Sequence, residues 1–130
     1  MSYENKYKES KKSADFLYEK KFYNAAVNRY YYCIYQMIME YNRLNKLNYN
    51  DSEKEGTHEK TIDTFLNNYF DENYEQSEFN KYDMEARIYS LKDQRKAADY
   101  TTSNIIQAKC NEINNNFNKL YGDIHKILLL

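Results

Sequence analysis

The chain has 130 residues, of which 42% are hydrophobic and 30% are charged, and its formal net charge is −1. The length suits one domain with a single core, which we expect over residues 1–130. With no proline and only two glycines, a β-rich domain is disfavoured because it would need many tight turns. The near-neutral charge argues against strong sequence-independent binding of nucleic acid, but not against a small phosphate-binding site.

Apolar residues spaced three and four apart predict five α-helices. The predicted helices cover residues 3–20, 22–47, 58–70, 79–99 and 103–128, with polar loops over 48–57 and 71–78. The second helix has an apolar face of Phe22, Ala26, Tyr30, Cys33, Met37, Tyr41 and Leu44. The fifth has the most regular face, made of Ile106, Cys110, Ile113, Phe117, Leu120, Ile124 and Ile127.

The segments between the helices predict how the bundle is connected. Thr57 is a candidate N-cap for the third helix, and Thr101, Thr102 and Ser103 are candidates for the fifth. The short connection over 100–102 predicts that the fourth and fifth helices form an antiparallel hairpin. With the long second helix packed against them, we expect an all-α, up-and-down bundle of four to five helices.

Neither the cysteines nor the apolar runs indicate a metal, a cofactor or a membrane. Cys33 and Cys110 are isolated on apolar faces, with no CxxC pair, and we expect both to be small buried hydrophobes. The first residues are polar and lack a signal peptide, and the apolar run over 127–130 is too short to cross a bilayer. We therefore expect a cytoplasmic protein.

The fourth helix carries an arginine where a leucine would be expected. Its apolar face runs Met84, Ile88, Leu91, Arg95 and Ala98. A buried arginine needs a partner for its charge, and Asp99 follows it by one helical turn. Asp99 could neutralise Arg95 as a structural peg, or it could orient the guanidinium towards a phosphate. The hydroxyl of Tyr100 could reach the same place as a hydrogen-bond donor.

Two further residues are candidates for the same site. His58 begins the third helix on its apolar face, where the helix dipole favours a neutral imidazole. It is either a partly buried side chain bonded to a loop carbonyl or a catalytic or anion-binding group. Arg29, within a run of tyrosines on the second helix, is either an exposed arginine stacked on tyrosine or a second cation near Arg95.

The chain resembles the HEPN superfamily, the higher eukaryotes and prokaryotes nucleotide-binding domains. The likeness lies in residues 25–32 with Tyr35, in residues 56–58 with Phe65 and Phe70, and in residues 91–100. The last of these segments looks like the R-x-x-A-D-Y signature of one bacterial branch, formed here by Arg95, Ala98, Asp99 and Tyr100. The resemblance implies a HEPN-like bundle of four to five helices that dimerises through the face carrying the arginine.

The resemblance also implies a function. Many relatives are metal-independent ribonucleases in which an arginine and a histidine, separated by four to six residues, act together across the dimer. Others are toxins paired with a nucleotidyltransferase antitoxin that modifies a nearby tyrosine. In this chain no histidine stands at the expected distance, since Tyr100, Thr101 and Thr102 occupy those positions.

Three interpretations follow from the sequence. The first is a HEPN-like module of a toxin–antitoxin or defence system that binds a partner protein, or a nucleotide or RNA phosphate, through Arg95, Asp99 and Arg29. The second is a metal-independent endoribonuclease toxin in which Arg95 acts with His58 or Tyr100. The third is a purely structural helical adaptor in which Arg95→Leu would be tolerated.

Overall fold

The computed structural model describes residues 1–47, 56–73, 75 and 77–129. These residues form five α-helices and contain no strand, so the predicted all-α bundle is confirmed. The helices are α1 (Glu4–Glu19), α2 (Tyr23–Leu44), α3 (Thr57–Asn73), α4 (Lys81–Tyr100) and α5 (Gln107–Leu129). Most of the predicted loop over 48–57 lies outside the described residues, as do positions 74 and 76 of the second predicted loop.

Helix α2 is the centre of the bundle, and each of the other four helices packs against it. Thirteen of its 22 residues are buried. Helix α1 returns along α2 after the turn at residues 20–22, and α4 and α5 are joined by residues 101–106. The composition of α2 explains this position, because hydrophobic or aromatic side chains point in several directions around the helix.

The buried polar groups of α2 tie it to its neighbours. Asn42 donates to the carbonyl of Thr61 on α3, and the hydroxyl of Tyr30 accepts from Asn114 on α5. The carboxylate of Glu40 accepts from the backbone N–H of Tyr3 and from the Arg43 guanidinium. The hydrogen bonds from Arg43, together with those from the N-terminal residues, lower the pKa of Glu40 to about 2, so this group stays ionised.

Most of the predicted apolar faces of α2 and α5 are buried, and both cysteines are buried and free. Three residues placed on those faces are instead exposed: Phe22, Leu44 and Ile106. Each lies at or just beyond the end of its helix, where the neighbouring helices no longer cover the apolar face. Helical spacing predicts the direction of a side chain but not how far along the helix the packing extends.

Several predicted helix ends are wrong by more than the usual one or two residues. Helix α2 ends at Leu44 rather than 47, α3 continues to Asn73 rather than 70, and α5 begins at Gln107 rather than 103. Thr57 is the first residue of α3, and the carbonyl of Gly56 accepts the first helical hydrogen bond.

The prediction that Thr101 caps the start of α5 is wrong. The hydroxyl of Thr101 donates to the carbonyl of Ala97, so it satisfies the C-terminus of α4 instead of capping α5. Thr102 and Ser103 lie in the connection before α5, which begins four residues after Ser103. The connection is therefore twice as long as predicted, covering residues 101–106.

Lysines occupy the left-handed position at the ends of α1 and α2. At the end of α1, the N–H of Phe22 donates to the carbonyl of Leu17, and the N–H of Lys21 donates to that of Tyr18. This is the Schellman arrangement, in which glycine is the usual left-handed residue. Lys21 holds that position with φ of 65°, and Lys46 holds its equivalent in α2 with φ of 56°.

Replacing Lys21 by glycine should stabilise the protein. Glycine adopts a positive φ without the clash of a Cβ atom. The free energy gained by removing this clash exceeds the free-energy cost of the greater entropy that glycine gives the unfolded chain. We expect Lys21→Gly to raise the free energy of unfolding by roughly 0.5–1 kcal/mol in urea denaturation. Lys20→Gly is the control, since Lys20 has φ of −83° and has no strain to relieve. The expectation is wrong if the two variants are equally stable.

Candidate functional site

Arg95 lies on the buried face of α4, in line with Met84, Ile88 and Leu91. Only 7% of the residue is exposed to solvent. A guanidinium at this depth has lost most of its hydration, so nearby groups must compensate for its charge. Those groups come from α2, from the end of α4 and, through α2, from the start of α3.

Three tyrosine rings surround the guanidinium. Its central carbon lies 5.1 Å from the ring centre of Tyr31, 5.3 Å from that of Tyr32 and 5.6 Å from that of Tyr100. All three distances fall within the range of cation–π attraction, which is stronger when the cation is desolvated. Burial lowers the pKa of Arg95, but Tyr32, Tyr100 and Tyr31 raise it above its ordinary value, so the charge is retained.

The polar contacts described for the guanidinium both involve Nη1. This atom donates to the Tyr100 hydroxyl at 3.2 Å and lies 3.6 Å from Oδ2 of Asp99. The second distance makes an ion pair but is too long for a hydrogen bond. The buried Nε has no hydrogen-bond partner among the residues that the structure describes. A carboxylate therefore balances the charge of Arg95, but the Nε donor of its guanidinium has no acceptor.

Asn28 connects Asp99 to a second arginine. The Oδ2 atom of Asp99 accepts from Nδ2 of Asn28 at 2.9 Å, and Oδ1 of Asn28 accepts from both Nε and Nη2 of Arg29. The guanidinium carbon of Arg29 lies 5.3 Å from the ring centre of Tyr32, which also faces Arg95. Arg29 is thus half-buried, stacks on a tyrosine and shares that tyrosine with Arg95.

His58 joins the cluster through Tyr31. Its Nδ1 lies 2.7 Å from the Tyr31 hydroxyl, and its ring stacks on that of Tyr35 with the ring centres 4.0 Å apart. The partner described for Nδ1 is thus a phenol, and most of the preceding loop, whose carbonyls were one expected partner of His58, lies outside the described residues. Gly56 allows α3 to begin at this point, because its φ of 80° is one that other residues rarely adopt.

The Tyr31 phenol connects the histidine to the arginine. Burial raises the pKa of Tyr31 well above its ordinary value, so the hydroxyl keeps its proton. A protonated phenol can donate to Nδ1 of a neutral imidazole, which leaves the proton of that imidazole on Nε2. The ring of the same tyrosine faces Arg95, so one side chain contacts both the histidine and the arginine.

A lysine pair adds to the positive charge of this face. Lys92, one turn before Arg95, is 5% exposed, and its Nζ lies 3.0 Å from Glu59 of α3. The hydrogen bond from Lys92 lowers the pKa of Glu59. Lys92 in turn lowers the pKa of Lys96, because two ammonium groups lie close together. Arg95 therefore has cationic neighbours on both sides along α4.

The structure brings together all five residues that the sequence singled out, namely Arg95, Asp99, Tyr100, Arg29 and His58. Four members of the cluster were missed or left without a role: Asn28, Tyr31, Tyr32 and Lys92. A signal for the first three was present, because positions 28, 31, 32 and 35 follow the spacing of one helical face. The predominance of tyrosine in α2 concealed it, since the same residues also build the core.

The described part of the chain holds no group of three or more potential metal ligands. None of its helices has the length and apolarity that crossing a bilayer requires. Comparison with protein-family models, with curated proteins and with solved structures gave no match.

Replacing Arg95 by leucine should leave the fold intact. The substitution removes a buried donor without a partner, and Asp99 stays with Asn28 and partly solvated, at 24% side-chain exposure. We expect the free energy of unfolding of Arg95→Leu to fall by less than about 1 kcal/mol, or to rise. Loss of more than about 3 kcal/mol in urea denaturation would instead make the guanidinium a structural peg.

Proposed function

We propose that this chain is a HEPN-like module that binds the phosphate of a nucleotide or of RNA through Arg95. The observation that carries the proposal is the buried guanidinium with an unpartnered Nε and an Asp99 carboxylate too distant to hydrogen-bond. Buried donors without partners are uncommon in folded proteins. An oxyanion would supply the missing acceptor and complete the balance of charge.

The chemistry of the surroundings favours phosphate as the ligand. Guanidinium donors match the oxygens of phosphate in geometry, and hydrogen bonds between charged groups are stronger than neutral ones. Arg29, Lys92 and Lys96 add positive charge to the same region, opposed by Glu59, Asp93 and Asp99. With Arg95 included, four cations face three carboxylates, and this small local excess is compatible with a net charge of −1 for the whole chain. A small cluster of cations of this kind suits the recognition of one phosphate better than binding along a long nucleic acid.

The second candidate function is a metal-independent endoribonuclease. It is favoured by the Tyr31 side chain, which links His58 to Arg95 and so places a titratable imidazole beside a phosphate-binding cation. In such an enzyme Arg95 would stabilise charge on the scissile phosphate, and His58 would move protons at the ribose 2′-hydroxyl. Tyr100 is the alternative proton donor. The binding module is preferred because no histidine follows Arg95 at the spacing found in the ribonuclease relatives.

The biological setting of the proposal rests on the resemblance alone. On that basis we propose a module of a bacterial toxin–antitoxin or defence system, a homodimer that has a nucleotidyltransferase or another protein as its partner. An interface on the face that carries Arg95 would bring two such sites together across the dimer.

Calorimetric titration with adenosine 5′-monophosphate tests the proposal. We expect the wild-type protein to bind the nucleotide but not adenosine, because the phosphate supplies the contact. Arg95→Lys keeps the charge but loses the Nε donor and the planar fork, and should weaken binding about ten- to hundredfold. Arg87→Lys is the matched control, since Arg87 lies on the same helix and is held by Asp83 and Asn116.

Two results would change the assignment. Equal weakening by Arg95→Lys and Arg87→Lys, or no binding by the wild type, contradicts a phosphate site at Arg95. Cleavage of RNA in the presence of EDTA, lost in both Arg95→Leu and His58→Ala, would make the second candidate function the correct one.

A further inference from the structure

Tyr100 is an exposed side chain that contacts a buried one. It is 75% exposed, yet its hydroxyl accepts a hydrogen bond from Nη1 of Arg95, a residue that is only 7% exposed. Its ring also covers the guanidinium, with the ring centre 5.6 Å from the central carbon. A side chain that is mostly in water therefore forms an outer wall of the site around Arg95.

The other walls of the site are held in place. Tyr31 is 1% exposed and is fixed by His58, while Asp99 is fixed by Asn28. Tyr32 lies between the guanidinium groups of Arg95 and Arg29. The contacts on these sides join α2 to α3 and to α4, so breaking them would disturb the packing between helices.

Tyr100 can move without such a change. It is the last residue of α4, and the backbone after it leaves the helix for the connection over 101–106. The hydrogen bond described for its hydroxyl is the one with Arg95. Rotation about its side-chain bonds would uncover Nη1 and leave the helix and the core as they are.

We propose that Tyr100 is a side-chain lid whose hydroxyl occupies the place of a phosphate oxygen until a ligand displaces it. The inference rests on the proposed function. A phosphate oxygen is a charged acceptor, so it binds a guanidinium donor more strongly than a neutral phenol does. Because the lid must open before phosphate binds, the apparent affinity equals the intrinsic affinity multiplied by the fraction of molecules whose lid is open.

Titration of the full chain with inorganic phosphate tests the lid. Tyr100→Phe keeps the ring but removes the hydrogen bond that closes the site, so we expect phosphate to bind about fivefold more tightly. Tyr82→Phe is the control, because Tyr82 lies on the same helix and is 78% exposed, and it should bind like the wild type. The wild type and Arg95→Lys are titrated beside them.

The outcomes separate the lid from the binding function. Equal affinities of wild type and Tyr100→Phe, both lost in Arg95→Lys, would overturn the lid and leave the phosphate site. Weaker binding by Tyr100→Phe would make the hydroxyl a contact to the ligand, which also overturns the lid. If neither protein binds phosphate, the proposed function fails, and the lid fails with it.

Discussion

The burial of most of α2 among the other four helices is the constraint that organises this protein. Polar groups that are buried on such a helix need partners, and several of those on α2 find them on other helices. Each such pair then fixes the position of that neighbour. Glu40 holds the start of α1, Asn42 holds α3, and Tyr30 holds α5. Tyr31 does the same at the candidate site, where its hydroxyl meets His58 and its ring meets Arg95.

The candidate site differs from these pairs in one respect. The Glu40 carboxylate is bonded by several donors, as a structural ion pair should be. The Arg95 guanidinium has aromatic rings and a neutral hydroxyl around it, with its carboxylate 3.6 Å away. The same protein thus satisfies the buried charge of Glu40 fully and leaves the buried charge of Arg95 short of acceptors. This difference is consistent with a functional use for Arg95.

The helices could be predicted from the sequence, and their ends could not. Periodic apolar residues dictate which face of α2 or α5 is buried, because burial rewards that spacing directly. The ends depend on local backbone geometry. Lys21 and Lys46 adopt a left-handed conformation that normally requires glycine, so nothing in the sequence marks those stops. Thr101 could cap either neighbouring helix, and its hydroxyl bonds to α4.

The site was predictable to the extent that it lies on one helix. Arg95, Asp99 and Tyr100 are close in sequence, and helical geometry alone brings Asp99 under Arg95. The approach of Arg29 and His58 depends on how α2 and α3 pack against α4, which the sequence does not specify. Tyr31 was overlooked because a tyrosine on a buried helix is equally suited to the core, and 16 tyrosines make each one unremarkable.

The central claim is that Arg95 has a donor available for an oxyanion. The most direct measurement is the side-chain Nε–H spectrum of the four arginines by ¹H–¹⁵N nuclear magnetic resonance, recorded while inorganic phosphate is added at constant ionic strength. The account predicts a saturable shift of the Arg95 signal, while that of Arg87, whose Nε already donates to Asp83, stays in place. An Arg95 signal that does not move, or four signals that move together, would contradict it.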